Sequence, residues 1–185
     1  MDSIAIILGS TRPNRNGEAV AKWVLEIANK RTDATFELVD VKEYNLPLLD
    51  EAVPASQGKY SKEHTKRWAE KINSFDAYIF VTPEYNHSIP GALKNAIDFL
   101  FKEWNNKVAG FVSYGSVGGA RAVEQLRVVM GELMIADVRA QVMFSLATDF
   151  VNYNEFKPDA KHKDFVNTML DQVVTWSKAM KVLRD

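Results

Sequence analysis

At 185 residues the chain is long enough to bury one sizeable core and too short for two. Its composition, 46% hydrophobic and 25% charged with a net charge of −1, excludes broad electrostatic binding of nucleic acid, since no basic cluster stands out. The absence of cysteine removes disulfides, thiolate chemistry and cysteine-held metals, and fits a cytoplasmic location.

The chain opens on the apolar run Ile4-Ala5-Ile6-Ile7-Leu8, a strand pattern. It has no basic n-region before it, so no signal peptide is expected. No run anywhere approaches the ~18 apolar residues of a membrane helix, and no membrane insertion is expected. After the strand comes Gly9 to Gly17, GSTRPNRNG, then an amphipathic helix from Glu18 to Lys30 with Val20, Trp23, Val24 and Ile27 on one face. A strand, a polar glycine-bounded loop and a helix together make an anion site in α/β proteins. The helix N-terminus supplies unpaired N–H groups and a positive dipole end.

This loop adds the hydroxyls of Ser10 and Thr11, the amides of Asn14 and Asn16, and the guanidinium groups of Arg12 and Arg15. It is neither the GxGxxG dinucleotide fingerprint nor a Walker A loop. It suits one terminal phosphate, as in a mononucleotide such as FMN. On the loop alone an equal alternative stands: a surface turn in which Ser10 or Thr11 caps the helix and the arginines are solvated.

Thr35 to Asp40 alternates as a second strand, and Val41 to Gln57 is a long irregular connection containing Pro47 and Pro54. A helix is predicted from Lys59 to Asn73, with Tyr60, His64, Trp68 and Ile72 at four-residue spacing. Asp76 to Thr82 reads as a buried strand ending in the turn Pro83-Glu-Tyr-Asn-His-Ser88. Pro90 then opens a helix with Leu93, Ile97, Leu100 and Phe101 on one face. The fourth strand, Val108 to Ser113, leads into Tyr114-Gly-Ser-Val-Gly-Gly119. A helix from Ala120 to Leu133, a fifth strand from Val138 to Phe144, an irregular piece through Pro158 and a last helix spanning Phe165 to Met180 complete the chain.

Strands alternating with helices imply right-handed βαβ crossovers. The predicted fold is α/β: a flavodoxin-like three-layer sandwich, its five-stranded parallel sheet in the order 2-1-3-4-5 with helices on both faces. Residues 1–185 are expected to form a single domain. Ligands of such sheets bind beyond the carboxyl ends of the strands, where the strand order reverses. The flanking strands there trail GSTRPNRNG, PEYNHS and SYGSVGG, the three most unusual loops in the chain. The first suits a phosphate, the second offers backbone groups to the polar edge of a flat ring, and the glycines of the third permit close backbone approach. A flavin suits all three.

On these motifs, GSTRPNRNG, then PEYNHSIPGALKNAIDFL, then SYGSVGGAR, the sequence resembles the NADPH-dependent FMN reductases, which include chromate, quinone and azo-dye reductases. The resemblance covers residues 1 to 145, and its middle motif is the specific one. It implies that Ser10, Arg12, Asn16 and Gly17 hold the FMN phosphate, with Arg15 adding charge. Pro83, Glu84, Tyr85 and Asn86 are implied to contact ribityl and isoalloxazine, largely through the backbone. Ser113 and Gly115, with Tyr114 between them, are implied to border the ring's other edge.

NADPH or NADH is the implied electron donor, and small molecules such as quinones, azo dyes, free flavin or metal oxyanions the acceptors. No side chain need be catalytic, because FMN carries the chemistry. The relatives form homodimers or homotetramers, and Phe101 and Trp104 are expected to be exposed for such contact.

Two other readings compete: a flavodoxin-type electron carrier, and a phospho-receiver module. The near-neutral charge and the PEYN turn argue against the carrier, and Asp40 and Asp50 match a receiver's acidic cluster poorly. The three histidines, His64, His87 and His162, lack ligand spacing, so no metal site is expected. His87 beside the PEYN turn reads as a surface or interface residue ahead of one that touches substrate or donates a proton to the flavin, and Arg121 as either a phosphate or ion-pair partner or a solvated helix residue.

Overall fold

A computed structural model describes residues 1–184. Five strands form one parallel sheet in the order β2-β1-β3-β4-β5, as the alternation of elements requires. They are β1 (Asp2–Leu8), β2 (Ala34–Asp40), β3 (Ala77–Pro83), β4 (Val108–Gly115) and β5 (Ala136–Ser145). The helices are α1 (Gly17–Ala28), the single turn α2 (Val41–Tyr44), α3 (Glu63–Asn73), α4 (Gly91–Asp98), α5 (Ala120–Glu132) and α6 (His162–Met180).

The period of two in β1 sorts its side chains onto two cores. Ile4, Ile6 and Leu8 pack toward Val20, Val24 and Ile27 of α1 and Val166, Leu170 and Val173 of α6. Ala5 and Ile7 face Trp68 and Ile72 of α3, Leu93 and Ile97 of α4, and Leu126 and Met130 of α5. β3 and β4 are buried along their whole length, the pattern of central strands covered on both faces. No helix among the described residues is long and apolar enough to cross a membrane.

Four features depart from the sequence reading. First, α3 begins at Glu63 rather than at Lys59. The Glu51 carboxylate accepts from the N–H groups of Ser61 (3.0 Å) and Lys62 (2.9 Å), so it serves these donors just ahead of the helix. The partial burial that would raise its pKa is outweighed by those N–H groups and the Ser61 hydroxyl, which hold it at about 2. Tyr60 lies ahead of the helix and donates to Glu103 Oε2 at 2.7 Å.

Second, the segment from Val41 to Gln57, read as irregular, begins with the turn α2, ends in a 3-10 turn at Ala55–Gln57, and is tied down between them. Asn95 of α4 donates to the Pro47 carbonyl (2.7 Å) and accepts from the Leu49 N–H (3.0 Å). Third, Trp104 is fully buried, which corrects its expected exposure. Its Nε1 donates to the Ile97 carbonyl at 3.1 Å and its ring meets Tyr78 at a centroid distance of 4.9 Å. Burying a large ring with its N–H paired is worth far more than leaving it in water. Phe101 is half-buried against the same core.

Fourth, the piece through Pro158 contains a hairpin, β6 (Phe150–Val151) and β7 (Glu155–Phe156). Asn152 and Tyr153 at its tip both have positive φ, 50° and 61°. Two left-handed residues are what a tight hairpin turn demands. Phe150 and Phe156 anchor it on Tyr114, Phe144 and Trp23, with ring centroids 4.9–6.1 Å apart.

Candidate functional site

The register of the sheet brings the three unusual loops to one rim. Leu8 pairs with Val81, and Pro83 pairs with Tyr114, so the loops after β1, β3 and β4 leave side by side. Between them lies a cleft lined by Arg12, Asn16, Pro83, Glu84, Tyr85, Tyr114, Gly115 and Leu146. It encloses about 130 Å³. Ligand pockets run to roughly 300–1,000 Å³, so this cleft has room for only part of a ligand of that size.

At the floor of the cleft, α1 starts close against β4. A Cβ on Gly17 would lie 2.6 Å from the Tyr114 hydroxyl, 2.7 Å from Ser10 Oγ and 2.9 Å from Leu8 Cδ1. Only glycine lets the first turn of α1 come this near. The Ser10 and Tyr114 hydroxyls are buried there, 3.5 Å apart, at the long limit for a hydrogen bond. Burial pushes the Tyr114 phenol up to about 12, so it stays a neutral hydroxyl. Two buried hydroxyls beside a helix N-terminus are donors of the kind an anion site uses.

The two arginines of the first loop part company. Arg12 is exposed at the cleft and, among the described residues, forms no ion pair. Arg15 turns the other way, its side chain 7% exposed. It donates to Asp40 Oδ1 at 2.9 Å, pairs with Oδ2 of the same carboxylate, and donates to the Ser10 carbonyl. Its charge is therefore spent on Asp40, and it stitches the loop to the end of β2 instead of facing the cleft. Asn16 lines the cleft while its Nδ2 donates to the Tyr153 carbonyl at 2.7 Å, so the hairpin tip braces the first loop.

The second loop is a tight turn. Tyr85 and Ser88 exchange backbone hydrogen bonds of 2.9 and 3.1 Å, and Asn86 and His87 between them have φ of 48° and 73°. This places Asn86 and His87 at the tip of the turn, both exposed. Glu84 N–H donates to the Tyr114 carbonyl at 3.1 Å, coupling this loop to the third.

Glu84 is the residue whose part was least foreseen. Its Oε1 accepts from Arg121 Nε at 2.6 Å and its Oε2 from the Arg121 N–H at 3.2 Å, so it caps α5 from another loop. Burial would raise its pKa, but Arg121 and the N–H groups of Arg121 and Ala122 win and hold it below the usual carboxylate value. Arg121 is thus an ion-pair partner within the chain.

Ser113 does not border the cleft. It is fully buried and donates to the Gly118 carbonyl at 2.7 Å, shaping the glycine turn from below. Gly118 and Gly119 have φ of 69° and 72°, and a Cβ on Gly119 would meet Ser113 Cβ at 2.7 Å. Leu146, which the sequence did not single out, joins the cleft because its N–H donates to the Gly115 carbonyl at 3.1 Å. Behind it, Asp149 accepts from the Ser145 N–H (2.8 Å) and pairs with His162 Nε2 (2.9 Å), both side chains under 10% exposed. No group of three metal-ligating side chains occurs among the described residues.

Residues 3–149 match the family model described as NADPH-dependent FMN reductase. An NAD(P)H-dependent FMN reductase of Nectria sp is 41% identical over 159 residues, covering 80% of this chain and 79% of the relative. A quinone reductase of Pseudomonas putida is 29% identical over 183 residues, 95% of each chain. Among solved structures, an NAD(P)H:(acceptor) flavoenzyme of Paracoccus denitrificans superposes with a TM-score of 0.76 at 22% identity, over 97% of this chain and 99% of the other.

Proposed function

The chain belongs to the NADPH-dependent FMN reductase family, and on that premise we propose that it binds one FMN in the cleft between its three loops and reduces small acceptors with NAD(P)H. The single observation that carries the reading is the cradle at Gly17. Gly17, with no room for a Cβ, packs the first turn of α1 and its N–H groups against the buried Ser10 and Tyr114 hydroxyls, with Arg12, which forms no ion pair among the described residues, in the cleft wall.

These groups fit a phosphate. The hydroxyls donate, the helix N-terminus supplies N–H groups and a positive dipole end, and Arg12 adds one charge-assisted bond. Arg15 contributes at one remove, by fixing the Ser10 carbonyl and hence the path of the loop. The Asn86–His87 turn offers its backbone to the polar edge of the ring, and Tyr85 and Gly115 wall it. FMN would supply two-electron chemistry there, accepting a hydride from NAD(P)H and returning two electrons with protons to the acceptor. The protein's part is to hold the phosphate, present turn backbone to the ring and leave one face open.

An open rim suits sequential use of a single face, first by NAD(P)H and then by a quinone, azo dye, free flavin or metal oxyanion. We extend the proposal to a ping-pong order, a cytoplasmic location and a homodimer or homotetramer. Leu48 and Leu49, 86% and 48% exposed on the pinned loop, support association. Initial rates at several fixed quinone concentrations test the order. Parallel double-reciprocal lines are expected, and intersecting lines would overturn it.

A further inference from the structure

Glu84 is an unusual wall for a flavin site. It lines the cleft with Tyr85 and Gly115, yet its side chain is only 4% exposed. A carboxylate this dry survives as an anion only if it is compensated. Compensation comes from one half-exposed guanidinium, that of Arg121, whose side chain is 45% exposed, and from the first N–H groups of α5. Gly119, left-handed at φ 72°, lets α5 begin close enough for both contacts.

We propose that Arg121 is a positioning residue that sets the electron affinity of the bound flavin by neutralising Glu84. The inference rests on the FMN reading above. When bound FMN takes a hydride from NAD(P)H, it gains two electrons and one proton, hence one negative charge until a solvent proton arrives. A bare carboxylate in the wall opposes that charge, more strongly for being poorly solvated. The guanidinium and the α5 N–H groups cancel the opposition. Without Arg121 the oxidised flavin is held as before while the reduced form is held less tightly, so the midpoint potential drops. Without the Glu84 charge the sign reverses.

The test is anaerobic equilibration of FMN-loaded wild type, Arg121→Gln, Arg121→Lys, Glu84→Gln and the double glutamine variant against a reference dye. Arg121→Gln should raise the ratio of reduced to oxidised dissociation constants about tenfold, equal to about 30 mV for a two-electron couple. Arg121→Lys, which keeps the charge, should stay near wild type. Glu84→Gln should shift upward, and the double variant should return toward wild type. Should Arg121→Gln fail to fold, Glu84→Gln carries the same test with opposite sign. A purely structural latch would lower thermal stability in the single variants and leave every potential equal, which overturns the inference while FMN binding stands. A wild-type apoprotein that takes up no FMN would overturn the cofactor reading and this inference with it.

Discussion

Arg12 and Arg15 lie three residues apart in one loop, and the structure gives them opposite consequences when removed. Arg12 forms no ion pair among the described residues and lines the cleft, so in the proposed site Arg12→Ala would delete one charge-assisted bond to the phosphate and little else. Such a bond contributes about 1.5–3 kcal/mol. At about 1.4 kcal/mol per factor of ten, FMN affinity should fall about 10- to 150-fold. Exposure and salt pull the loss to the low end near physiological ionic strength and to the high end in dilute buffer.

Arg15→Ala instead strips the counter-charge from Asp40, whose side chain is 14% exposed. That costs about 1–3 kcal/mol of stability, and at about 2–4 °C per kcal/mol for a chain of this size the Tm should drop measurably. Its FMN affinity should move by less than about threefold. Titration of each apoprotein with FMN and with riboflavin, followed by flavin fluorescence, separates the two effects. Riboflavin lacks the phosphate, so its affinity should be the same in Arg12→Ala and wild type. Equal losses for FMN and riboflavin in Arg12→Ala, or a larger FMN loss in Arg15→Ala, would refute the assignment.

Gly17→Ala should weaken FMN binding while leaving the apoprotein folded, because the new Cβ lies 2.6 Å from the Tyr114 hydroxyl and pushes it into the cradle. Overpacking of this kind costs about 1–3 kcal/mol. The same FMN titration, paired with a melt of the apoprotein, checks this. Trp104→Ala should cost about 3–5 kcal/mol of stability in denaturant melts, as a core ring rather than an interface residue.

Lys107 is buried and donates to the Ile72 and Asn73 carbonyls and to the Tyr78 hydroxyl. Burial depresses its pKa to about 8. Between pH 8 and about 10 the unfolded chain holds more protons at this group than the folded one, so its contribution to stability rises with pH. The stability of wild type relative to Lys107→Met should therefore climb across that window. A flat difference in paired melts would contradict it.

The sheet order and the convergence of the three loops were legible because both follow from local pattern. Apolar runs such as Ile4–Leu8 mark strands, and the βαβ rule then leaves few topologies. What the sequence hid were pairings between distant residues. Glu84 and Arg121 are 37 positions apart and Asn16 and Tyr153 137 apart, and no local spacing announces either bond. Arg15 reads as phosphate-binding by composition, and only the end of β2 beside it supplies the competing Asp40. The hairpin was missed because its three-residue loop, Asn152 to Asn154, puts Asn152 and Tyr153 in the left-handed region without an Asn-Gly pair. Its signal lay in Phe150 and Phe156 flanking a polar tip. Trp104 gave no periodic cue, since α4 ends at Asp98 and the ring enters the core from the turn beyond.

The proposed cleft holds FMN and lets NAD(P)H reduce it without help from another protein. Anaerobic addition of NADPH to the FMN-reconstituted protein, with no other enzyme present, tests this most directly. The yellow absorbance should bleach as NADPH is consumed in equal amount, and return when a quinone is added. Colour that persists under excess NADPH, or protein that stays colourless after incubation with FMN, would contradict it.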